Sequence, residues 1–486
     1  MSQIDSLFCL TRAASSTSER ARKQFLISFS FLSMMYGLLG LMVFALGGTA
    51  AAAEIPSPYA TNEQAVTSVN AGDLSTASAA WWGFNTKDVT DTLQAAIDSK
   101  AKTPIIPYMG QAWIVRPLNL RSDLEIVFEP GVLVLAKRGE FKGKGDSLFT
   151  ASEVTNLTLR GYGTTLRMRK KDYQNPPYEK AEWRHALVIR GCENVLIEGL
   201  RIESSGGDGI MIDGGGKGVC SKDVTVRSVV CFDNHRQGMS VTSVQNLLVE
   251  GCSLTGTSGT APESGVDIEP DSPDQRLVKC VFRNCLFENN SGNAAAIYLK
   301  NQTSESEPVS ITFENCVARM GKAGDLPDVV RAQGLGGWGG FAIGAIRDNG
   351  PKGLIELINC VTENTGREGA RIYDNSSQSV KLRFVRCSFK NPWLTDPLDW
   401  DRGPKSPISI TLRRAELTTK MGGVEFIDCQ VFDTVDRPAL VVRELKSQSG
   451  VQDLTGSITV HNPHGVRADF GVNPRNVTPD LVHAVK

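Results

Sequence analysis

Carboxylates crowd one stretch of this chain. The segment "GMSVTSVQNLLVEGCSLTGTSGTAPESGVDIEP", residues 238–270, closes on Glu263, Asp267 and Glu269, and "GGDGIMIDG" (206–214) carries Asp208 and Asp213 just upstream. Val266 and Ile268 alternate with Asp267 and Glu269, so an extended chain that buries the first pair turns the second pair outward. Two carboxyl groups held ~6.5–9.5 Å apart, with room for a water, do the acid and base work of inverting glycoside hydrolysis, whereas ~5–5.5 Å suits the retaining route. Between the two acidic segments lies "NHRQG" (234–238), whose His235 and Arg236 can bind an anionic group, donate to a leaving oxygen or pair with Asp208 and Glu263.

The elements that position these residues follow from repetition. "VLIEGLRIESSGGDGIMIDG" (195–214), "VTVRSVVCFDNHRQGMSVTS" (224–243), "LLVEGCSLTGTSGTAPESGVDIEP" (247–270), "CVFRNCLFENNSGNAAAIYLK" (280–300), "LIELINCVTENTGREGARIYDN" (354–375) and "VEFIDCQVFDTVDRPALVVRE" (424–444) share one plan. Each reads strand, tight turn, short strand, polar loop, strand. A unit of roughly 23–30 residues with period-2 strands and no helical stretch between them predicts a parallel β-helix solenoid, one all-β domain. Cys252, Cys285, Cys316, Cys360, Cys387 and Cys429 take one phase of successive coils, with Leu200 and Val229 standing there in two others. That phase wants a compact apolar side chain, so a ladder of free thiols is expected, although stacked rungs also bring cysteines within disulfide reach. Asn284, Asn315 and Asn359 precede three of these cysteines, where a tight turn accepts left-handed backbone or side chains hydrogen-bond between rungs.

Aligned on Gly209, Gly238 and Gly265, the coils turn Ile210/Met239/Val266 and Ile212/Val241/Ile268 inward. One outward column is then Met211, Ser240, Asp267, the next Asp213, Thr242, Glu269, and the turn before them holds Asp208, Gln237, Ser264. Carried into "AAIYLK", the columns put Tyr298 beside Asp267 and Lys300 beside Glu269. Rungs are ~4.8 Å apart, so Asp213 and Glu269 stand roughly 9–10 Å apart at the backbone. They are the expected acid/base pair, with Asp267 between them as a like-charge modulator or alternative partner. Asp208, His235, Arg236, Gln237, Glu263, Tyr298, Lys300 and Trp338 are the expected substrate contacts. The plainer alternatives are a satisfied turn histidine and solvated outer-strand carboxylates.

The ends of the chain have their own signals. Arg20, Arg22 and Lys23 precede "FLISFSFLSMMYGLLGLMVFALGG" and then "TAAAAE", which reads as an export signal over residues 1–53 or an uncleaved membrane anchor. The expected location is periplasmic, extracellular or cell-surface. Residues 54–110 are read as a linker and capping segment, in which "TDTLQAAIDS" (90–99) forms a short amphipathic helix over the open end of the solenoid, with Leu93, Ala96 and Ile97 on its apolar face. The β-helix is expected over 111–445, and 446–486 as last strands and a tail.

From "FNTKDVTDTLQAAI" through "VLIEGLRIESSGGDGIMIDG", over most of residues 80–445, the chain resembles the pectate-lyase-like right-handed β-helix superfamily, which holds polygalacturonase-type glycoside hydrolases, polysaccharide lyases, epimerases and phage tailspikes. The resemblance implies a right-handed coil and a polysaccharide or oligosaccharide partner. The polygalacturonase pattern is an Asn-Thr-Asp, a paired Asp-Asp and a Gly-His-Gly on successive coils. "GGDGI" (206–210) and "NHRQG" (234–238) do not complete it, so no role is carried over from it.

Composition narrows the classes. With 52 basic and 53 acidic residues and a formal charge of −1, no global field gathers nucleic acid. No zinc-protease helix, dinucleotide fingerprint or phosphate loop is present. The expected function is therefore an exported glycoside hydrolase acting on a polysaccharide, as a monomer, with no cofactor or metal. The alternatives are a polysaccharide lyase acting on a uronate-containing glycan, with Ca2+ held by Asp213, Asp267 and Glu269 or with a basic side chain, and a non-catalytic glycan-binding solenoid. Hydrolysis ranks first because basic residues look sparse beside the acidic columns. Insertions at 169–185, 325–340 and 391–407, bearing Tyr178, Trp183, Trp338, Trp393 and Trp400, would wall a groove and offer rings to sugar faces.

Overall fold

The computed structural model describes residues 57–320, 339–392, 405–413, 420–444 and 449–484. The segment 1–53 and the rings of Trp338, Trp393 and Trp400 lie outside the described residues. Among the described residues, no helix is long and apolar enough to cross a membrane.

The chain is a right-handed parallel β-helix whose coils each lay one strand on three parallel ladders. In one coil, Glu193–Glu198 joins the first ladder, Arg201–Glu203 the second and Ile210–Asp213 the third. The first two ladders merge where the long strand Met421–Phe432 belongs to both, and the third is a separate sheet of twelve strands. Period-2 patterning drives the burial: Val195 stacks on Val224, Leu247, Cys280 and Ile311, all inward, while the residues between them face solvent. Short strands of the second ladder turn their central residue into the core, such as Ile202, Cys231, Leu254 and Phe287.

The corner between the first two ladders is set by residues that accept left-handed backbone. Asn284, Asn315 and Asn359 sit there with φ of 54°, 53° and 53°, and Asn359 Nδ2 donates to Asn315 Oδ1 at 3.1 Å. Each next residue is one of the expected stacked cysteines, whose Sγ donates to a carbonyl of the coil before, as Cys285 does to Val249 O at 3.4 Å. All ten cysteines among the described residues are buried and free.

At the N-terminal end, α1 (Glu63–Ala71) and α2 (Thr90–Asp98) flank the first rungs. Leu93, Ala96 and Ile97 of α2 are buried in the main core, as its pattern predicted. Helix α1 is additional. Strands join the ladders within both flanking segments. Thr76–Ser78 pairs with Thr103–Ile106 in the linker and capping segment, and Val482–Ala484 pairs with Val451–His461 in the segment of last strands and tail. The short strands at both ends lack the long apolar alternation that marks the middle coils, and they become strands by adding to an existing edge.

Candidate active site

Five consecutive strands of the twelve-stranded sheet carry the acidic columns: β1 (Leu187–Arg190), β2 (Ile210–Asp213), β3 (Met239–Val241), β4 (Val266–Ile268) and β5 (Asn293–Tyr298). Their register is Val188, Met211, Ser240, Asp267 across the first four strands, the last three as the glycine alignment predicted. The second column starts one coil earlier than expected, at Arg190 opposite Asp213, and continues through Thr242 and Glu269, whose amides donate to Ile212 O and Val241 O.

In β5 the expected placement fails by two residues. Ala296, not Tyr298, stands beside Asp267. The anchor glycine of the other coils is replaced by Ala294, since Gly265 N donates to Asn293 O just as Gly238 N donates to Ser264 O, and without that glycine the columns were carried two residues too far. Lys300 still reaches Glu269, Nζ to Oε1 2.5 Å, from beyond the end of β5. Tyr298 turns toward Tyr373, with ring centroids 5.9 Å apart, and is not part of the cleft wall.

The columns floor a cleft of about 420 Å³. Trp183 and His185, from the loop that precedes β1, form one side. Asp213, Asp267, Glu269 and Asp271 line it together with Arg190 and Arg236. Asp213 is held by four donors: Arg190 Nε at 3.1 Å, Thr242 Oγ1 at 2.8 Å, the Gly214 amide at 2.6 Å and Gln275 Nε2 at 3.5 Å. Asp267 is 2% exposed; its Oδ2 accepts from Gln237 Nε2 at 3.1 Å and its Oδ1 has no hydrogen-bond partner among the described residues. Burial first, and the Glu269 charge second, hold the Asp267 carboxyl well above the usual carboxylate range. Burial and the same neighbour also raise Asp271. The guanidinium of Arg236 lies 3.6 Å from Asp208 Oδ2 and 4.0 Å from Glu182 Oε2. His185 Nδ1 accepts the Asp208 amide at 3.0 Å, so the neutral ring carries its proton on Nε2.

Several residues expected to touch substrate stand behind the cleft instead. Asp208 and Gln237 are fully buried beneath its floor. His235 is 7% exposed, packed under the backbone of Gly259, and does not line the cleft. Glu263 accepts the Gly259 amide at 2.5 Å and caps its own turn. The Tyr178 hydroxyl oxygen accepts the Gly139 amide at 2.9 Å, which ties the ring into the loops. These positions fall in turns, whose side-chain direction strand periodicity does not fix.

Arg190, His185 and Asp271 were missed. Arg190 was within reach, because "ALVIRG" (186–191) extends the Asp213 column by one coil; Asp271 and His185 lie outside any strand and gave no periodic signal. Among the described residues, no three His, Cys, Asp or Glu side chains are grouped to hold a metal ion. Asp213 and Glu269, two members of the expected calcium cluster, already bind cationic side chains, so the donor set does not fit the ion.

Residues 173–326 match the family model described as a right-handed β-helix region. Over 206 residues, 38% of this chain, the sequence is 26% identical to the uncharacterized protein YclG of Bacillus subtilis (strain 168), and the chain spans about a third of the length of the curated relatives it matches. The A-module of the mannuronan C-5 epimerase AlgE6 from Azotobacter vinelandii superposes with a TM-score of 0.58 at 13% identity, covering 84% of this chain and 99% of that one. The family 28 exopolygalacturonase of Yersinia enterocolitica superposes with a TM-score of 0.51 at 12% identity, covering 85% and 78%. At such identities the likeness establishes the fold.

Proposed function

Taking the chain as a right-handed parallel β-helix, we propose that it is an exported glycoside hydrolase that cleaves a polysaccharide in the cleft over β1–β5, with Asp267 as acid and Glu269 as base. The observation that carries this reading is a buried carboxyl whose surroundings favour its protonated form, two residues along the chain from a carboxylate paired with Lys300. Two residues of extended chain span roughly 6.6 Å, within the range that leaves room for a water. The Asp267 proton passes to the glycosidic oxygen as the bond from the anomeric carbon breaks. Water attacks that carbon from the opposite face and gives its proton to Glu269, and exchange with solvent restores both groups. Asp213, held by four donors, keeps the wall with Arg190 rather than moving a proton. This exchanges the parts that spacing alone gave Asp213 and Asp267. Trp183, 48% exposed at the mouth, offers its ring to a sugar face.

β-Elimination on a uronate is the second reading, and Arg190, Arg236 and Lys300 favour it. Their presence removes the reason for ranking hydrolysis above it, because each can meet a sugar carboxylate.

The test incubates the full chain with neutral, uronic and sulfated polysaccharides, following new reducing ends and the ultraviolet absorbance of unsaturated uronates. New reducing ends without absorbance, lost by a factor of about 10²–10⁴ in Asp267→Asn and in Glu269→Gln, are expected. Absorbance would move the protein to the lyases. Turnover surviving in both variants would remove this pair from the mechanism, and retention on one glycan with silence in both channels would leave a binding solenoid.

A further inference from the structure

Gln237 sits in the turn that follows the second-ladder strand Val230–Phe232 and is fully buried. The Ser264 amide donates to its Oε1 at 2.8 Å, which leaves Nε2 as the end that meets Asp267, at 3.1 Å from Oδ2. Turning the carboxamide over would set its NH2 against the Ser264 N–H and its carbonyl against the carboxyl oxygen, two contacts without a hydrogen bond. The backbone of the third coil therefore fixes the amide, and the amide fixes the carboxyl. A donor on Oδ2 makes that oxygen an acceptor, so a proton bound to Asp267 belongs on Oδ1.

We infer that Gln237 is a positioning residue that assigns the Asp267 proton to Oδ1, the oxygen without a hydrogen-bond partner among the described residues. The placement stands on these hydrogen bonds, and its catalytic meaning rests on the reading of Asp267 as the acid. Charged and titratable groups face Asp267 from every side: Glu269 just past the end of its own strand, Arg236 from the turn of the coil before, Asp208 one coil further back, and Lys300 and Tyr298 from the coil after. They set how readily Asp267 ionises. Gln237 is distinguished by its direct hydrogen bond, which favours the ionised form.

The test needs no glycan. Urea unfolding of the full chain is followed from about pH 4 to about pH 9 for the wild type, Gln237→Met, Asp267→Asn and the double variant. Asp267 binds its proton more tightly in the native state than in the unfolded chain, whose aspartates titrate near ~3.9, so its contribution to stability falls as pH rises through that window. Loss of the Gln237 donor takes a hydrogen bond from the anion, and the upper end of the window is expected to move up by on the order of one pH unit. In the Asp267→Asn background the same substitution is expected to move nothing. Gln237→Glu keeps the shape if methionine is not tolerated; its carboxyl must share a proton with Asp267, and an upward shift is expected there too. An unmoved window in both variants, or an equal shift without Asp267, would overturn the inference. Turnover surviving in Asp267→Asn would overturn the acid assignment and leave this cycle unaffected.

Discussion

At His235, one imidazole illustrates what burial does to a group that looked catalytic. Burial lowers it to about 4, Lys170 and Arg184 push in the same direction, and Asp208 and Asp233 pull only partly back. Its native value lies below the ~6.5 of an unfolded histidine, so between those two values the unfolded chain takes up a proton that the native state refuses. Stability is therefore lost as pH falls from about 6.5 toward 4, by on the order of 3 kcal/mol, and is unaffected above that range. His235→Gln should flatten this acid limb in unfolding experiments while leaving the neutral region in place. The same residue marks a limit of sequence reading: "NHRQG" singled out His235 and Arg236 together, of which Arg236 lines the cleft, yet the order of His and Arg along a turn says nothing about which of the two points out. Only the packing of Gly259 against the ring decides that.

Among the elements, the glycines that start β2, β3 and β4 explain why the alignment worked. A Cβ on Gly209 would stand 2.6 Å from Gly238 O, one on Gly238 2.5 Å from Gly265 O, and one on Gly265 2.7 Å from Ala294 O. Each coil is packed against the carbonyl of the next, so a methyl group there must separate rungs. Gly238→Ala should cost about 1–3 kcal/mol in urea unfolding and loosen the floor that carries Ser240 and Asp267. The fourth coil has no such anchor, and there the reading slipped by two residues. Parallel strands are specified by their inward residues, and "NAAAIY" offers several adjacent apolar positions that satisfy more than one count.

Across the whole molecule, one outward column of the first ladder alternates in sign: Arg160, Glu198, Arg227, Glu250, Arg283, Glu314, each in register with the next. Neighbours in it approach to between 2.7 and 3.9 Å. Glu250→Lys would set like charges across two rungs, and a loss of about 1–2 kcal/mol is expected, larger at low salt than at high. The sequence by itself determined the coil, because inward strand positions, tight-turn asparagines and stacked cysteines are repeated where each coil must bury the same face against its neighbour. It also determined that Asp213, Asp267 and Glu269 share one outer surface, since alternation along a strand leaves no other choice. Tertiary structure alone decided what surrounds each of them. Arg190, Lys300, Gln237 and the cover of neighbouring coils arrive from other coils and from turns, where no period constrains direction, and the proton affinity of a carboxyl depends on the company and the burial that these contacts provide.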